Sequence, residues 1–437
     1  MDPATISMIM FGSFFGLLIL GVPMAWTTAC IGVVVCVLLY GLSGIDLLMI
    51  RIWDCMNNFN LMAIPLFVYM GNLLRRSGAS ADLFRSFYVW FGRIRGGMIV
   101  AGIALSALLG AMLGTVGASI SILGITVLPL LQEYKHNLKL STGAIMAGGG
   151  LAVLIPPSMM FIIYGVVAGE SVAKLLIGGI VPGLTLAVLY SLYVIIKCAR
   201  NPVLAPTVPL DILGLSFKEK LRSLSAAWVP LIIILGVTGT IFIGLATPTE
   251  AGALGVIGVL LSMGIRRELR WNVIVDSAFE TFKTLGIIMW VVFGAMMFIS
   301  TFTLSGGSTL VKDILLGFPL GRWGAYCLIL AILFGMGMVF DVIGITVLCA
   351  PIFVPVIKAF GFDPLWFGIV FNLMLQVGYM SPPFGYGMFY LKAVRPDLSL
   401  TELYRAAIPF MLIQLFTVGI FTLWPSALTW LPKFVKF

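Results

Sequence analysis

Charged residues are scarce in this chain. They make up 10% of its 437 residues, where a soluble domain carries about a quarter. With 61% of the sequence hydrophobic, too few polar residues are left to cover a water-facing surface, so a soluble globular enzyme is excluded. Histidine is nearly absent. The single one, His136, lies in the polar stretch QEYKHNLKLS and offers neither a zinc site nor the base of a nucleophilic triad. The six cysteines (Cys30, Cys36, Cys55, Cys198, Cys327, Cys349) show no CxxC spacing and mostly fall in apolar runs, so they read as packing residues. The first five residues carry no Lys or Arg, and 17–20 run into further apolar sequence, so no cleavable signal peptide is expected.

Apolar runs are what the chain has in abundance. Those at 225–243, 284–304 and 402–424 reach the ~20 residues that a helix needs to cross a bilayer. Backbone groups in lipid must be satisfied within the segment, which demands helices, and the period-two alternation of a membrane β-barrel is missing. The formal charge of +9 then reads as loop charge of a membrane protein and not as a nucleic-acid footprint.

The two halves repeat one order of landmarks. Ser77-Gly78-Ala79-Ser80 answers to Ser305-Gly306-Gly307-Ser308, and Gly92-Arg93 to Gly321-Arg322. A Gly-rich apolar stretch ending at Pro129 or Pro351 follows, then a double proline, Pro156-Pro157 or Pro382-Pro383, then a span with one early proline, Pro182 or Pro409. The pattern gives a first repeat over 1–200, with helices near 4–20, 22–42 and 60–76, a hairpin at 97–131, a broken helix at 141–168 and a last helix at 172–198. A cytoplasmic connection at 201–224 leads to a second repeat over 225–437, with helices at 225–243, 249–265 and 284–304, a hairpin at 319–357, a broken helix at 363–391 and a last helix at 402–424. Segments 44–57, 79–91, 272–283 and 307–316 mix charge with Leu, Ile and Phe and read as interfacial helices. Re-entrant hairpins leave five crossings per half. Five is odd, so the halves lie inverted, as in many secondary transporters. With the N-terminus periplasmic, only Arg51, Lys174, Lys312, Arg322, Lys358, Lys433 and Lys436 of the 26 Lys and Arg fall outside, in keeping with the positive-inside rule.

Two constellations carry the chemistry, one per half. Gly114-Thr115-Val116-Gly117-Ala118-Ser119 in the first hairpin pairs with Gly148-Gly149-Gly150 and Ile155-Pro156-Pro157-Ser158. Gly337 to Asp341, with Gly344 and Thr346, pairs with Gly378 and Ser381-Pro382-Pro383. Glycine permits unwinding and proline frees a carbonyl upstream, so such breaks offer oxygens to a hard monovalent cation and half-helix N-termini to a carboxylate. Small residues also serve close helix packing, which is the plain reading of any one glycine here. The candidate ion ligands are Thr115, Ser119, Gly148, Gly150, Gly344, Thr346, Gly378 and Ser381, with the carboxylate of Asp341, costly at membrane depth, as the sharpest of them. The candidate substrate residues are Pro156, Pro157, Ser158, Pro382 and Pro383. Glu250, at a loop, reads as structural.

The stretch 340–405 (FDVIGITVLCAPIFVPVIKAFGFDPLWFGIV…SPPFGYGMFYLKAVRPDLSLTELYR) closely resembles the large, M-type subunit of tripartite ATP-independent periplasmic (TRAP) transporters. So do LIPPSMMFIIYGVVAGES, GGIVPG, AIPLFVYMGNLLRRSGAS and ATPTEAGALG, and the likeness spans essentially the whole chain. The resemblance implies an all-α, polytopic, elevator-type transporter of the bacterial inner membrane, within the ion transporter superfamily. It also implies sodium as coupling ion, no other cofactor, a small four-helix Q-type membrane subunit, a periplasmic substrate-binding protein and a small organic anion (carboxylate) as substrate. Where the family's first tip reads approximately ISGSAVAD, this chain has Leu113 for one serine and Ser119 for the aspartate, and Gly148-Gly149-Gly150 replaces a usually polar stretch. Asp341 is kept. A self-sufficient cation-coupled carrier or antiporter of the same superfamily is the alternative. An intramembrane hydrolase is disfavoured, since no base accompanies any Ser, Thr or Cys.

Overall fold

The computed structural model describes residues 2–76, 86–87, 89–91, 94–206 and 225–435. The landmarks at 77–80 and Gly92-Arg93, most of the interfacial segment 79–91 and most of the connection 201–224 lie outside the described residues. Among the described residues every regular element is helical.

The first repeat opens with α1 (Pro3–Ile19) and α2 (Met24–Tyr40), separated by Gly21 in the left-handed region and Pro23 at the next N-cap. The interfacial helix α3 (Ser43–Met56) turns Met49, Ile50 and Trp53 outward, and α4 (Ala63–Arg76) follows. The hairpin is α5 (Gly97–Leu113) and α6 (Val116–Thr126), reversing at Gly114, with a short helix at Leu128–Glu133 extending the return arm. The broken helix is α7 (Leu138–Gly150) and α8 (Met159–Ala168), and α9 (Val172–Arg200) closes the repeat. The second repeat runs α10 (Ser225–Phe242), α11 (Pro248–Ile265), α12 (Trp271–Leu304) and α13 (Gly307–Leu316). Its hairpin is α14 (Gly321–Val339) and α15 (Val342–Ala359), its broken helix α16 (Pro364–Tyr379) and α17 (Tyr386–Val394), and α18 (Leu400–Leu423) ends it. Both breaks contain a cis Pro–Pro peptide, Pro156–Pro157 and Pro382–Pro383.

Polar residues at the helix starts cap them. The Asn137 side chain accepts the Leu140 N–H at 3.0 Å, Asp363 accepts that of Leu365 at 2.8 Å, and Ser399 that of Glu402 at 3.3 Å. Glu250 and Thr247 form a reciprocal capping box at the start of α11, so Glu250 has a structural task. The structure departs from the sequence reading at 272–283, expected as a separate interfacial helix. It is the first part of the 34-residue α12, about 50 Å long at 1.5 Å per residue, against a hydrocarbon core of about 30 Å. No Gly or Pro interrupts the chain from Trp271 to Leu285, so nothing ends the helix at the interface.

The contacts follow the repeat. α5 packs on α7 as α14 packs on α16, and α8 lies against α15 of the other repeat as α17 lies against α6. Helices α2, α4, α11 and α12 pack together into a scaffold beside these elements. There the backbones nearly touch: a Cβ on Gly32 would stand 2.7 Å from the Met297 carbonyl carbon, and Thr301 donates a 2.9 Å hydrogen bond to the Gly32 carbonyl. Arg76 bridges Glu280 at 2.7 Å and Asp276 at 3.2 Å, with Arg75 joining Glu280, which ties α4 to α12. Outward faces carry large apolar side chains in the open, such as Leu38, Ile232, Leu235 and Phe416, as a lipid-facing surface requires.

Candidate functional site

Both hairpin tips and both broken helices meet at a cavity of about 790 Å³. The tips contribute Gly114, Thr115, Val116 and Gly117 from one repeat and Val339, Phe340, Asp341, Val342 and Ile343 from the other. Val153, Met159 and Met160 come from the first broken helix and its turn, and Tyr379, Phe384, Tyr386 and Tyr390 from the second. The scaffold closes the remaining side with the α1–α2 turn, Thr284, Ile287, Ile288, Trp290 and Val291. Asp341 is the one charged side chain among the described lining residues.

Each tip is also a helix start. Asp341 stands at the N-cap of α15, where its Oδ2 accepts the Ile343 N–H at 3.0 Å. Thr115 holds the same place on α6, yet its hydroxyl makes no capping bond. By register, then, Asp341 corresponds to Thr115. Ser119, which the resemblance sets in place of the family's first-tip aspartate, lies a turn further along α6, fully buried, its hydroxyl without a protein partner. The restart of the helix, invisible in a short glycine-rich string, sets this register. Tyr386 donates from α17 to the Val339 carbonyl at 3.2 Å, and Tyr404 donates to that of Pro383, so the second break is tied to the second tip and to α18.

Of the candidate ion ligands, Thr115 and Asp341 line the cavity together, and the others stand behind its walls. Gly148 faces Ser106, Gly150 faces Tyr379 and Gln376, Gly344 faces Met24, and Gly378 lies on the backbone of Gly337. Thr346 donates within α15 to the Val342 carbonyl at 2.7 Å, and Ser381 donates to that of Val377 at 2.9 Å. Among the candidate substrate residues, Ser158 donates to the Val153 carbonyl at 2.5 Å, Pro156 and Pro157 are buried, and Pro382 and Pro383 are exposed. None of these five lines the cavity, although their neighbours Met159, Met160 and Phe384 do.

Sequence reasoning missed the aromatic wall. Tyr386 and Tyr390 are spaced i, i+4 just after the second double proline, a signal that was available. Trp26 and Trp290, with ring centroids 5.0 Å apart, meet only through the tertiary fold. The cavity also treats the repeats unequally. On α8 the run 159–165 is wholly buried, while on its counterpart α17 Phe389 and Tyr390 are open, as is Phe384 before it.

Similarities to known proteins agree with this architecture. The family described as the tripartite ATP-independent periplasmic transporter, DctM component, matches residues 11–427. The ectoine TRAP transporter large permease protein TeaC of Halomonas elongata is 29% identical over 96% of this chain and 97% of its own length. The C4-dicarboxylate TRAP transporter large permease protein DctM of Pseudomonas aeruginosa is 27% identical over 91% of this chain and 92% of its own. The crystal structure of the Alcanivorax borkumensis YdaH transporter superposes with a TM-score of 0.64 over 93% of this chain and 98% of that one, at 14% identity, a likeness of fold.

Proposed function

The chain belongs to the DctM family of tripartite ATP-independent periplasmic transporters, and we propose that it drives sodium-coupled uptake of a small organic carboxylate. As a large permease subunit it is a multi-pass inner-membrane transport protein and not an enzyme. The observation that carries the sodium reading is Asp341 at the mouth of a half-helix, inside a cavity with no basic residue among its described lining residues. The N-terminus of α15 offsets about half a unit of charge, and a bound cation supplies the rest. A hard monovalent ion suits the oxygen-only set around it, the carboxylate with the hydroxyl and carbonyl groups of the tips. For the substrate, α6 begins at the same cavity without a side-chain cap, so the N–H groups of its first turn are available to a carboxylate. The relatives named above carry different solutes, ectoine in one and C4-dicarboxylates in the other, which fits a permissive membrane subunit served by a selective periplasmic binding protein.

A small Q-type subunit and a loaded binding protein complete the proposed machine. With the N-terminus periplasmic, the α1–α2 turn and α17 fall on the cytoplasmic side. The cavity then opens inward, and the sealed α8 closes the periplasmic path. The test is reconstitution in proteoliposomes under an inward sodium gradient. The chain alone should take up free solute poorly, and adding the small subunit with loaded binding protein should restore uptake. Full sodium-driven transport by the isolated chain would overturn the tripartite assignment, and uptake indifferent to sodium would overturn the coupling.

A further inference from the structure

The walls of the cavity suit an apolar body and leave one place for a carboxylate. Among the described lining residues there is no Lys, Arg, His, Asn or Gln, and Asp341 is the single acid. Side-chain oxygens come from Asp341, Thr115, Thr284 and three tyrosines. Two of these hydroxyls are already committed: Thr284 donates to the Glu280 carbonyl at 3.0 Å, and Tyr386 to that of Val339 at 3.2 Å. A carboxylate here therefore depends on a helix start, and the two starts differ. Asp341 occupies the first turn of α15 with its own side chain, whereas α6 begins uncapped.

Aromatic rings stand on both sides of the space. Phe384, Tyr386 and Tyr390 come from α17 and the turn before it, and Trp26 and Trp290 come from the scaffold. Trp26, Trp290, Phe384 and Tyr390 are exposed. The two tryptophans meet edge to face, which leaves ring surface uncovered. Tyr390 lies against the free helix start: a Cβ on Gly117, in the first turn of α6, would stand 2.8 Å from its ring. Tyr386, one turn earlier on the same face of α17, reaches the second tip, so this face runs from tip to tip. The electron-rich face of a ring repels an anion. A second carboxylate would therefore be buried against these walls without a donor.

We infer that the solute this cavity takes is a monocarboxylate with a flat apolar body, an aryl- or arylalkyl-carboxylate, and not a C4-dicarboxylate. The inference rests on the carboxylate reading and narrows it. The carboxylate takes the free N–H groups of α6, and the body lies along Tyr390 and Tyr386 towards Trp290. The binding protein chooses the molecule, and the cavity restricts the class. A cationic group would also be attracted to these rings. Its counter-charge would be Asp341, however, which on the sodium reading is already offset by the ion. A volume of about 790 Å³ is in the range of pockets that enclose whole organic ligands with a ring and a side arm.

The test is thermal unfolding of the purified full chain in nanodiscs, in NaCl, titrated with phenylacetate, succinate, ectoine or benzyl alcohol. Phenylacetate should stabilise wild type with a half-saturation about tenfold or more below that of succinate. Benzyl alcohol, which has the ring and lacks the charge, should not stabilise it. Tyr390→Ala and Trp290→Ala should each weaken the phenylacetate response about tenfold and leave that of succinate unchanged, and Tyr390→Phe should behave as wild type. Monodispersity and an unchanged sodium response control for misfolding, and the two alanine variants lie on different helices. Succinate or ectoine binding as tightly as phenylacetate would overturn this inference and leave the carboxylate reading intact. Wild-type phenylacetate titrations in both alanine variants, or equal stabilisation by benzyl alcohol, would overturn it too. If no carboxylate stabilises the chain in sodium, the carboxylate reading falls and this inference falls with it.

Discussion

Asp341→Asn separates two tasks that one residue performs. The carboxylate caps α15, and it places a negative charge in an apolar cavity. Asparagine caps a helix about as well as aspartate, so the half-helix should keep its start. An unpaired carboxylate at membrane depth costs on the order of 3 kcal/mol. If sodium offsets that charge, removing it should weaken sodium half-saturation roughly a hundredfold, at about 1.4 kcal/mol per decade. The sign then depends on the medium. In choline the Asn variant should unfold at the same temperature as wild type or higher, because the uncompensated charge is gone, and in sodium wild type should overtake it. Asp341→Ala adds the loss of the cap, about 1 kcal/mol, in both media. The assay is sodium-titrated uptake by the complete transporter in proteoliposomes, paired with unfolding curves in the two salts. An Asn variant that matches wild type in half-saturation and rate would refute the reasoning, and the tip site would then rest on carbonyls and hydroxyls. Ser119→Ala, which removes no charge and touches no cavity wall, should do less.

At the α14–α16 crossing, a Cβ at position 378 would lie 2.7 Å from Gly337 Cα, so Gly378→Ala must spread two backbones by about 1 Å. Overpacking of this kind costs about 1–3 kcal/mol and should lower the unfolding temperature and slow uptake, whereas Gly335→Ala, with open space around it, should leave both unchanged. Thr301→Val deletes the hydroxyl's bond to the Gly32 carbonyl between α2 and α12 and should cost about 1 kcal/mol by denaturation. Single cysteines at Lys135 and Arg266, on a background without native cysteines, should label from the cytoplasm, and those at Lys174 and Lys358 from the periplasm; periplasmic labelling at 135 would remove the re-entrant first hairpin.

Much of the fold was legible because glycine and proline punctuate it. Pro364, Pro248 and the capping side chains Asp363, Thr247 and Ser399 mark helix starts locally, so neighbouring sequence alone placed those spans. The reading failed where no punctuation exists, as along α12, whose interfacial arm and membrane span share one uninterrupted helix. The site was legible by region and not by residue. Glycine clusters pointed to the tips and breaks, but what each glycine faces is decided by another element: Ser106 at Gly148, Tyr379 at Gly150, Met24 at Gly344. An alternation pattern carries no information about such pairings. The aromatic wall shows the same limit, since Trp26 and Trp290 belong to different repeats and become neighbours only when α2 crosses α12.

The places where the molecule can move follow from how its glycines are used. Inside the scaffold, the α2–α12 crossing is backbone against backbone, Gly32 on Met297 and Gly294 on the Ala25 carbonyl, with the Thr301 hydrogen bond across it. Such contacts lose their dispersion and their hydrogen bond together over a displacement of an ångström, so these helices should behave as one body. Where the second tip meets the scaffold, Gly344 lies under the sulfur of Met24, a long flexible side chain that can refill a changing gap. Rigid contacts thus lie within the scaffold and an adaptable one between scaffold and second tip, while at the first tip Gly71 of α4 lies against the backbone of Met112 and Leu113. The unequal burial of α8 and α17 fits this division. A displacement of the hairpins and broken helices to one side of the scaffold would produce such a difference between two elements with the same place in the repeat. Exchanging their roles requires sliding that unit past Met24, past α4 at Gly71 and past the cavity-facing side of α12, while the α5–α7 and α14–α16 pairs keep their own packing.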